Sequence, residues 1–396
     1  MTALTKNIAF VEIRYHEILL FELSKLFLEL EDVNLTLFVS KEVFKRLDDR
    51  IKDDPRVKFI QYDVPRTSGR MNFIKNRSYM KAISASSKDI KERINNGNFD
   101  LVVFETLQGL PFLKASYDEL SSIKVKKAAI VHDADVWVGE KRNVPFSLRL
   151  NDSLSHNYFK KWLNNLDYLI TLEDEQTEYI KSKIDFFNPS HVITLRCKFA
   201  FDNDKLHSNS VNEKVIFTIP GSVDRLRRDY FGFLKSFERI AKDHDEIAGY
   251  LLGRMMEGDV KKYILSSDIL KSHVKFWDES VPNDEFERVI SESHFIVLPV
   301  AGNYRYGITK ITGPLYDALV DAKPVIISNN VHVNPKYMKS VLVYDPSNME
   351  EILEKAFNMV KSGEYKNLVD DAKKVRDIFR PENFLKEVSK MIEDKI

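Results

Sequence analysis

Short apolar runs alternate along the chain with longer segments in which apolar residues recur at helical spacing. The run 8–13 predicts a buried strand, and the leucines and phenylalanines of 17–31 predict the helix that follows it. Such alternation is typical of parallel sheets whose strands are joined by crossover helices. A second helix is predicted at 41–49, and further strands at 34–40, 57–62, 101–105, 128–133, 168–172, 191–195, 215–219, 249–252, 274–277, 295–299, 324–328 and 341–344.

One polar segment without periodicity, 201–214, interrupts this rhythm and is interpreted as a linker. The sequence therefore predicts an α/β protein of two Rossmann-like doubly wound domains facing an interdomain cleft, at 1–205 and 206–380. The final segment, 381–396, has apolar residues at helical spacing and is expected to cross back onto the first domain. In doubly wound domains ligands bind beyond the carboxyl ends of the strands.

Composition narrows the class of protein. The chain has 396 residues, with 60 Lys and Arg against 60 Asp and Glu, so no global charge favours nucleic acid as a partner. Its single cysteine, Cys197, can form neither a disulfide framework nor a cysteine-rich zinc site. No signal-peptide pattern or long apolar span is present, so a cytoplasmic protein is expected. No glycine-rich dinucleotide fingerprint or P-loop occurs.

The most informative stretch follows the strand at 215–219. The strand ends in Pro220-Gly221, and a loop containing Arg225, Arg227 and Arg228 leads into a helix. Guanidinium groups at a strand end suit a diphosphate, because each can donate paired hydrogen bonds to phosphate oxygens. A solvated basic loop is the alternative interpretation.

A second candidate anion site follows the strand at 295–299. Thr312 is positioned as an N-cap, and Gly313 opens a helix whose free amides suit a phosphate. Lys310 adds a positive charge just before it. Asp317, near the end of the first turn, could accept hydrogen bonds from ribose hydroxyls, although simple complementarity to the helix dipole also explains a carboxylate there.

Residues 215–328 resemble the donor half of GT-B glycosyltransferases, in particular the large retaining, nucleotide-sugar-dependent group often called family 4. Gly221 matches the glycine that ends the first strand of that domain, and Arg228 falls where the family usually has Lys. Arg225 lies near the usual Arg position, which Ser222 occupies. The resemblance implies that these residues hold the donor diphosphate.

The same family carries two Glu residues separated by seven positions, and Asp317 matches the second of them. The first is missing, and the loop in its place contains Tyr306 and Gly307, which we assign to the donor site. The resemblance implies a retaining transfer that needs neither metal nor cofactor. It also implies a nucleotide-sugar donor and an acceptor that is a glycan, a lipid or a small molecule.

The first domain resembles the family in its alternation of strands and helices and in one motif. The predicted strand 128–133 delivers His132 and Asp133 at its carboxyl end, where similar domains place a histidine that faces the donor sugar. Such a histidine could hydrogen-bond a sugar hydroxyl or move a proton, and we assign both residues to catalysis. A polar pair that caps the strand is the alternative.

Two other segments of the first domain are candidates for binding. The loop after the first strand, with Arg14, Tyr15 and His16, is assigned to the acceptor side, although an ordinary helix start also explains it. The basic, amphipathic segment 66–93 could rest on the inner face of an anionic membrane, and the alternative is a solvated helix whose apolar side packs in the core.

Rival functions of two classes stay open. A nucleotide-sugar epimerase or a phosphorylase would have the same fold, and a non-catalytic sugar- or nucleotide-binding protein could derive from it.

Overall fold

The computed structural model describes residues 5–65, 73–140, 146–185, 187–201, 214–302 and 305–394, without the side chains of 73–76, 146–148 and 189. The chain forms two compact units. Unit 1 comprises Met1–Phe199, Ile308–Ile311 and Pro381–Ile396, and unit 2 comprises Ala200–Gly307 and Thr312–Arg380. The segment 66–72 of the predicted membrane-contacting region and most of the predicted linker lie outside the described residues.

Unit 1 is built on a parallel sheet in the order β3-β2-β1-β4-β5-β6-β7. Its strands are β1 (Lys6–Glu12), β2 (Val33–Ser40), β3 (Val57–Tyr62), β4 (Leu101–Phe104), β5 (Lys126–Ile130), β6 (Tyr168–Thr171) and β7 (Val192–Thr194). Its helices are α1 (Glu17–Leu28), α2 (Lys41–Arg46), α3 (Asp49–Lys52), α4 (Phe73–Asn96), α5 (Leu110–Leu120), α6 (Ala134–Val138), α7 (Phe146–Leu163) and α8 (Asp174–Lys183).

Unit 2 repeats this arrangement with a parallel sheet in the order β10-β9-β8-β11-β12-β13. Its strands are β8 (Val215–Pro220), β9 (Ile247–Arg254), β10 (Val274–Trp277), β11 (Phe295–Leu298), β12 (Val325–Ser328) and β13 (Val341–Tyr344). Its helices are α9 (Tyr230–Ala241), α10 (Gly258–Ser266), α11 (Asp268–His273), α12 (Asn283–Glu292), α13 (Gly313–Val320), α14 (Met349–Ser362) and α15 (Tyr365–Arg376), and α16 (Leu385–Glu393) returns to unit 1.

Both strand orders are doubly wound, so the predicted fold class is confirmed. The thirteen predicted strands all occur in the described residues, because most of them are buried on both faces and read as continuous apolar runs. The helix predicted after the loop of Arg225, Arg227 and Arg228 is also confirmed, as α9. It buries Tyr230, Phe233, Leu234, Phe237, Ile240 and Ala241.

Several predicted boundaries differ from the observed ones, and two of the differences have a clear local cause. The helix predicted at 41–49 is two helices, because Leu47 adopts an extended conformation and Asp48 then caps α3 with its side chain. The strand predicted at 128–133 ends at Ile130, so His132 and Asp133 stand beyond it and Asp133 occupies the N-cap position of α6.

Helix α16 is bound to unit 1 at the amino-terminal ends of β5 and β6. The ammonium group of Lys126 donates to the carbonyl oxygens of Met391, Ile392 and Asp394, at 3.0, 2.5 and 3.0 Å. The hydroxyl group of Tyr168 donates to the Asp394 carboxylate at 2.8 Å. A single lysine thus occupies carbonyl groups at the end of the helix, which otherwise have no partner within it. No helix among the described residues is both long and apolar enough to cross a bilayer.

A buried ion pair holds the region after β7 to the start of α8. The guanidinium group of Arg196 contacts Glu173 at 2.8 Å and Asp174 at 2.9 Å, and the side chains of Arg196 and Glu173 are both 3% exposed. We expect Arg196→Met to lower the free energy of unfolding by about 3–5 kcal/mol, because it leaves the Glu173 carboxylate buried without its cation. Urea denaturation of the variant measures this loss.

Arg239→Met is the matched control. Arg239 pairs with Glu350 at the surface of unit 2, where its side chain is 67% exposed. Its loss should leave the urea midpoint nearly unchanged, because exposed pairs contribute little. Equal losses in the two variants would contradict the importance of the buried pair.

Candidate active site

A buried polar cluster lies at the topological switch point of unit 1. Strands β1 and β4 are neighbours in the sheet, and β1 pairs on its other side with β2, so the chain leaves these two strands toward opposite sides. Val11 pairs with Phe104, and the next residues, Glu12 and Glu105, follow at the carboxyl ends of the two strands. Such a switch point is where doubly wound domains open a crevice for ligands.

The carboxylate of Glu12 organises the loop after β1. Its Oε1 atom accepts hydrogen bonds from the backbone amides of Arg14 at 2.6 Å and Tyr15 at 2.9 Å. Its Oε2 atom accepts from the hydroxyl group of Thr106, which follows β4. Burial raises the pKa of Glu12 above its ordinary value, and the hydrogen bond from Thr106 opposes that rise.

Two histidines lie against each other beside Thr106. Nδ1 of His16 is 2.8 Å from the Thr106 hydroxyl oxygen, and Nε2 of His132 is 2.8 Å from the carbonyl oxygen of Glu105. The ring centroids of His16 and His132 are 4.1 Å apart with an angle of 34° between the ring planes. Thus the assigned acceptor-side residue His16 and the assigned catalytic residue His132 belong to one cluster.

Burial keeps both imidazoles neutral. It lowers the pKa of His132 to about 4, despite the opposing hydrogen bond to the Glu105 carbonyl group. It lowers the pKa of His16 well below the ordinary value, and the nearby positive charges of Arg14 and Lys310 act in the same direction. At neutral pH each ring therefore has one N–H group and one nitrogen lone pair.

The side chain of Glu105 is fully buried in the same cluster. Burial raises its pKa well above the ordinary value, the charges of Glu12 and Glu17 raise it further, and the backbone amide of Leu20 offsets a smaller part. The raised pKa favours the protonated form of the carboxyl group, which can donate a hydrogen bond as well as accept one.

The segment 308–311 closes one side of this cluster. Lys310 pairs with the buried Asp133, with 4.0 Å between the ammonium nitrogen and Oδ2, and the two residues form an antiparallel bridge. The hydroxyl group of Thr309 donates to Asp135 at 2.8 Å, and its carbonyl oxygen accepts from the amide of Ala134 at 2.8 Å. Lys310 was assigned to the donor diphosphate from sequence, and the structure places it in unit 1.

The guanidinium group of Arg14 lies close to two aromatic rings. Its guanidinium carbon is 5.0 Å from the ring centroid of Tyr15 and 5.4 Å from that of Phe112. Gly109, with φ +90°, allows the backbone to approach closely, since a β-carbon there would lie 3.0 Å from Nη1 of Arg14. The predicted acceptor-side loop is therefore held in one conformation by Glu12 on one side and by these contacts on the other.

One group of side chains in the described part of the chain has the composition of a metal site. Glu12, His16 and Glu105 each offer a ligand atom, and these atoms lie within 4.8 Å of one another. However, both oxygens of Glu12 already accept hydrogen bonds, and Arg14 and Lys310 bring positive charge close to His16. We assign no metal to this group, and metal independence stays a prediction.

In unit 2 the loop after β8 contains Gly221, whose backbone lies close to the side chain of Arg228. Gly221 has φ +95°, and a β-carbon there would lie 3.0 Å from Nη2 of Arg228. The guanidinium group of Arg228 donates to the carbonyl oxygen of Pro220 and to the hydroxyl oxygen of Tyr230, the latter at 3.3 Å. The hydroxyl group of Tyr230 in turn donates to the carbonyl oxygen of Ser222 at 3.2 Å. Gly221, Ser222 and Arg228 are therefore brought together.

Arg225, also assigned to the donor, points toward α10. Its guanidinium group pairs with Asp259 and lies 4.9 Å from the ring centroid of Phe231, and its backbone amide donates to Glu257 at 3.2 Å. The structure thus places a carboxylate on the arginine that was expected to meet a diphosphate.

The loop after β11 joins the loop after β8 at the switch point of the second sheet. The amide of Asp229 donates to the carbonyl oxygen of Pro299 at 2.7 Å, and the amide of Ala301 donates to that of Arg227 at 2.9 Å. Further along, Gly307 has φ +84° and packs against the carbonyl group of His332. The backbone amide of His332 donates to the carbonyl oxygen of the buried Tyr306 at 3.0 Å.

Helix α13 starts where the sequence predicted. Thr312 occupies the N-cap position but makes no hydrogen bond from its side chain to the helix, and Gly313 is the first helical residue. Asp317 lies one turn into the helix and is partly exposed. The assigned donor residues Thr312, Gly313 and Asp317 are thus on one short helix that follows the carboxyl end of β11.

Sequence reasoning missed Glu12, Glu105 and Thr106. A signal was present, because Glu12 and Glu105 each end an uninterrupted apolar run, IAFVE and LVVFE. A charged residue at the carboxyl end of a fully buried strand marks the edge where ligands bind. What the sequence does not show is that the two strands are neighbours.

Comparison with known proteins supports the fold without assigning a family. No protein-family model and no curated protein sequence matches the chain. Solved structures match over nearly all of it. TarM is 10% identical with a TM-score of 0.67 and covers 100% of both chains. The UDP-GlcNAc 2-epimerase from Neisseria meningitidis, bound to UDP-GlcNAc, is 13% identical with a TM-score of 0.63 and covers 98% of this chain and 99% of its own.

An alpha-glucosyltransferase (AGT) in complex with UDP is likewise 13% identical, with a TM-score of 0.61, and covers 98% of this chain and 100% of its own. At 10–13% sequence identity, these similarities show a shared fold and nothing more. The chain has the GT-B fold, with two Rossmann-like domains, as the sequence resemblance implied. Glycosyltransferases and UDP-GlcNAc 2-epimerases both occur among the structures that it matches.

Gly253, at the end of β9, tests the packing of the loop after β8. A β-carbon at this position would lie 2.4 Å from the backbone carbon and oxygen of Gly221. We expect Gly253→Ala to lower the melting temperature, because backbone cannot yield as a flexible side chain does. Gly258→Ala is the control, since nothing lies within 4 Å of a β-carbon there. Equal melting temperatures for the two variants would contradict this packing.

Proposed function

We propose that the protein transfers a sugar from a nucleoside diphosphate sugar to an acceptor hydroxyl group. The observation that carries the proposal is the arrangement at the switch point of unit 2. There the loop of Gly221, Ser222 and Arg228 and the loop leading to α13 are joined by backbone hydrogen bonds. The fold supports it, because matching structures include a glucosyltransferase with UDP and an epimerase with UDP-GlcNAc.

In this proposal the diphosphate lies against unit 2. Arg228 donates paired hydrogen bonds to it, and the amides at Thr312 and Gly313 add the positive end of α13. These donors also stabilise the charge that develops on the diphosphate as the bond to the sugar breaks. Asp317 holds the ribose hydroxyls, and Tyr306 and Gly307 line the donor. The guanidinium group of Arg225 pairs with Asp259, so this ion pair would have to break before Arg225 could bind the diphosphate.

The acceptor is proposed to bind unit 1 at Arg14, Tyr15 and His16. It is a glycan, a lipid or another small molecule. His132 uses its Nε2 atom on the Glu105 carbonyl group, so its Nδ1 atom is available to accept a hydrogen bond from a sugar hydroxyl. Retention of the anomeric configuration and independence of metal are the further expectations that the family resemblance brings to this proposal.

A nucleotide-sugar epimerase is the second candidate, and one observation favours it. Inverting a carbon centre of a sugar needs groups that remove and return a proton, and unit 1 buries two carboxyl groups with raised pKa values beside two neutral imidazoles. Three of the matching structures are described as UDP-GlcNAc 2-epimerases.

The donor can be identified by thermal shift with UDP-, GDP- and ADP-linked sugars. A ligand that binds only the folded state stabilises it and so raises the melting temperature. At a ligand concentration of 100 times the Kd, the free energy of unfolding rises by about 2.7 kcal/mol. We expect one nucleotide series to raise it, and Arg228→Ala to weaken that ligand about 10- to 100-fold, because a hydrogen bond to a charged group contributes about 1.5–3 kcal/mol.

Arg227→Ala is the matched control for this experiment. Arg227 is exposed and pairs with Asp224 at 3.4 Å, so its removal should leave the donor affinity unchanged. The proposal would be contradicted by a chain that none of the nucleotide sugars stabilises, or by an Arg228→Ala variant that binds the donor like the wild type.

Incubation of the identified donor in D2O without acceptor separates the two candidate reactions. A glycosyltransferase leaves the sugar carbons unlabelled and at most hydrolyses the donor. An epimerase that acts by proton transfer incorporates deuterium at a sugar carbon and yields an epimeric nucleotide sugar. NMR of the recovered donor measures both products, and we expect no label in the sugar.

A further inference from the structure

We propose that Arg14 and Tyr79 form an oxyanion subsite in unit 1, which binds a phosphate or carboxylate group of the acceptor. The inference rests on the proposed glycosyl transfer and names the chemical class of the molecule that receives the sugar. It also assigns a binding role to Tyr79, on α4, beside the loop after β1 that is already assigned to the acceptor.

The guanidinium group of Arg14 has no acceptor for its hydrogen-bond donors among the described residues. Its Nη1 atom is buried and makes no hydrogen bond, and no carboxylate in the described ranges forms an ion pair with it. Arg56, another partly buried arginine of unit 1, pairs with Asp54 at 3.2 Å and donates to the carbonyl oxygen of Leu28 at 2.8 Å. Because a cation withdrawn from water without an acceptor is unfavourable, Arg14 is suited to meet an anion from a ligand.

The same guanidinium group is nevertheless held in place by its neighbours. Its carbon atom lies 5.0 Å from the ring centroid of Tyr15 and 5.4 Å from that of Phe112. Gly109 leaves room for it, since a β-carbon there would lie 3.0 Å from Nη1 and 3.2 Å from Nη2. A donor that is positioned before the ligand arrives loses little conformational freedom on binding, which favours affinity.

Tyr79 supplies a second donor beside Arg14. Its side chain is buried, and its hydroxyl group makes no hydrogen bond of normal geometry within the described ranges. Burial raises the pKa of Tyr79, and the charge of Arg14 opposes that rise more than any other group does, so the two side chains are neighbours. A guanidinium group can only donate, which leaves the Tyr79 proton without an acceptor. Two adjacent donors suit the oxygens of a single anion.

Positive charge extends from this subsite toward the two histidines. After burial, which is the main cause, the charges of Arg14 and Lys310 also lower the pKa of His16 and of His132. Asp133 offsets part of the Lys310 charge, at 4.0 Å from its ammonium nitrogen. Both cations thus act at the same place, and their combined field favours an anionic group of the acceptor over a neutral one.

The carboxyl groups of the neighbouring cluster do not serve as the counterion of Arg14. Oε1 of Glu12 accepts from the backbone amides of Arg14 and Tyr15, and Oε2 accepts from the Thr106 hydroxyl group. Burial raises the pKa of both Glu12 and Glu105, which favours their uncharged forms. A hydrogen bond to an anion is roughly twice as strong as one between neutral groups, so this subsite selects an acceptor with a charged group over one that offers only hydroxyls.

Titration of the full chain with inorganic phosphate, acetate and glycerol tests the subsite without a donor. The two anions represent the two kinds of acceptor group, glycerol is the uncharged probe, and sodium chloride keeps the ionic strength constant. ¹⁵N NMR of the arginine side chains, assigned with Arg14→Gln, follows the Nε–H signal of Arg14. We expect a saturable shift with phosphate or acetate and none with glycerol, and the anion that binds more tightly identifies the acceptor group. The absence of a saturable shift with either anion would mean that water satisfies these donors, and would overturn the proposal.

Tyr79→Phe separates a binding role from a structural one. Because the hydroxyl group has no acceptor to lose, the free variant should keep or exceed the wild-type urea midpoint. Its affinity for the anion should fall about tenfold, since a hydrogen bond to a charged group is lost. The backbone amide signal of Gly109 reports this affinity in each variant, including Arg14→Gln, in which we expect the response to disappear. An unchanged anion affinity in Tyr79→Phe, or a urea midpoint that falls as for a lost structural hydrogen bond, would contradict the subsite.

Two controls identify the source of the response. Arg93→Gln removes an exposed cation near the other end of α4, where it pairs with Asp89 at 2.7 Å, and should leave the anion affinity unchanged. Arg228→Ala should weaken binding of the nucleotide sugar but not of the anion at Arg14, because the two sites lie in different units. A chain that binds no nucleotide sugar refutes the proposed function while the anion titration stands. Binding of the nucleotide sugar without any anion at Arg14, or transfer to an uncharged sugar at a rate that Arg14→Gln does not change, refutes the subsite alone.

Discussion

The parallel pairing of β1 with β4 is the interaction on which the candidate site depends. It sets Val11 beside Phe104, and the next residues of both strands then meet at the carboxyl edge of the sheet. Glu12 and Thr106, 94 positions apart in the sequence, become hydrogen-bonded partners. Side chains at the carboxyl ends of the strands lie beyond the paired part of the sheet. Polar groups can therefore be placed there without disturbing the core.

The two units use polarity in different ways. In unit 1 burial dominates, so that the carboxyl groups of Glu12 and Glu105 resist ionisation and the imidazoles of His16 and His132 resist protonation. In unit 2 the corresponding loop has arginines that are half-buried or exposed, and these keep their charge. That environment suits an anionic group that must be held and stabilised.

Much of the fold can be predicted from sequence because most of its strands are buried on both faces and read as apolar runs. Predicted boundaries fail where a local polar signal ends an element early, as at Leu47-Asp48 and at Ile130. The residues of the acceptor loop and His132 could be identified from the sequence. The contact between the rings of His16 and His132 could not. Lys310 shows the limit most clearly, since its neighbours in sequence suggest the start of α13, whereas its partner Asp133 lies 177 positions away along the chain.

The central claim is that the loop after β8 and the start of α13 hold the diphosphate of a nucleotide sugar. A crystal structure of the chain with the nucleotide sugar that raises its melting temperature most tests this directly. The account predicts electron density for the diphosphate within hydrogen-bond distance of the Arg228 guanidinium group and of the amides at Thr312 and Gly313. A diphosphate bound elsewhere, with Arg228 still donating only to Pro220 and Tyr230, would contradict it.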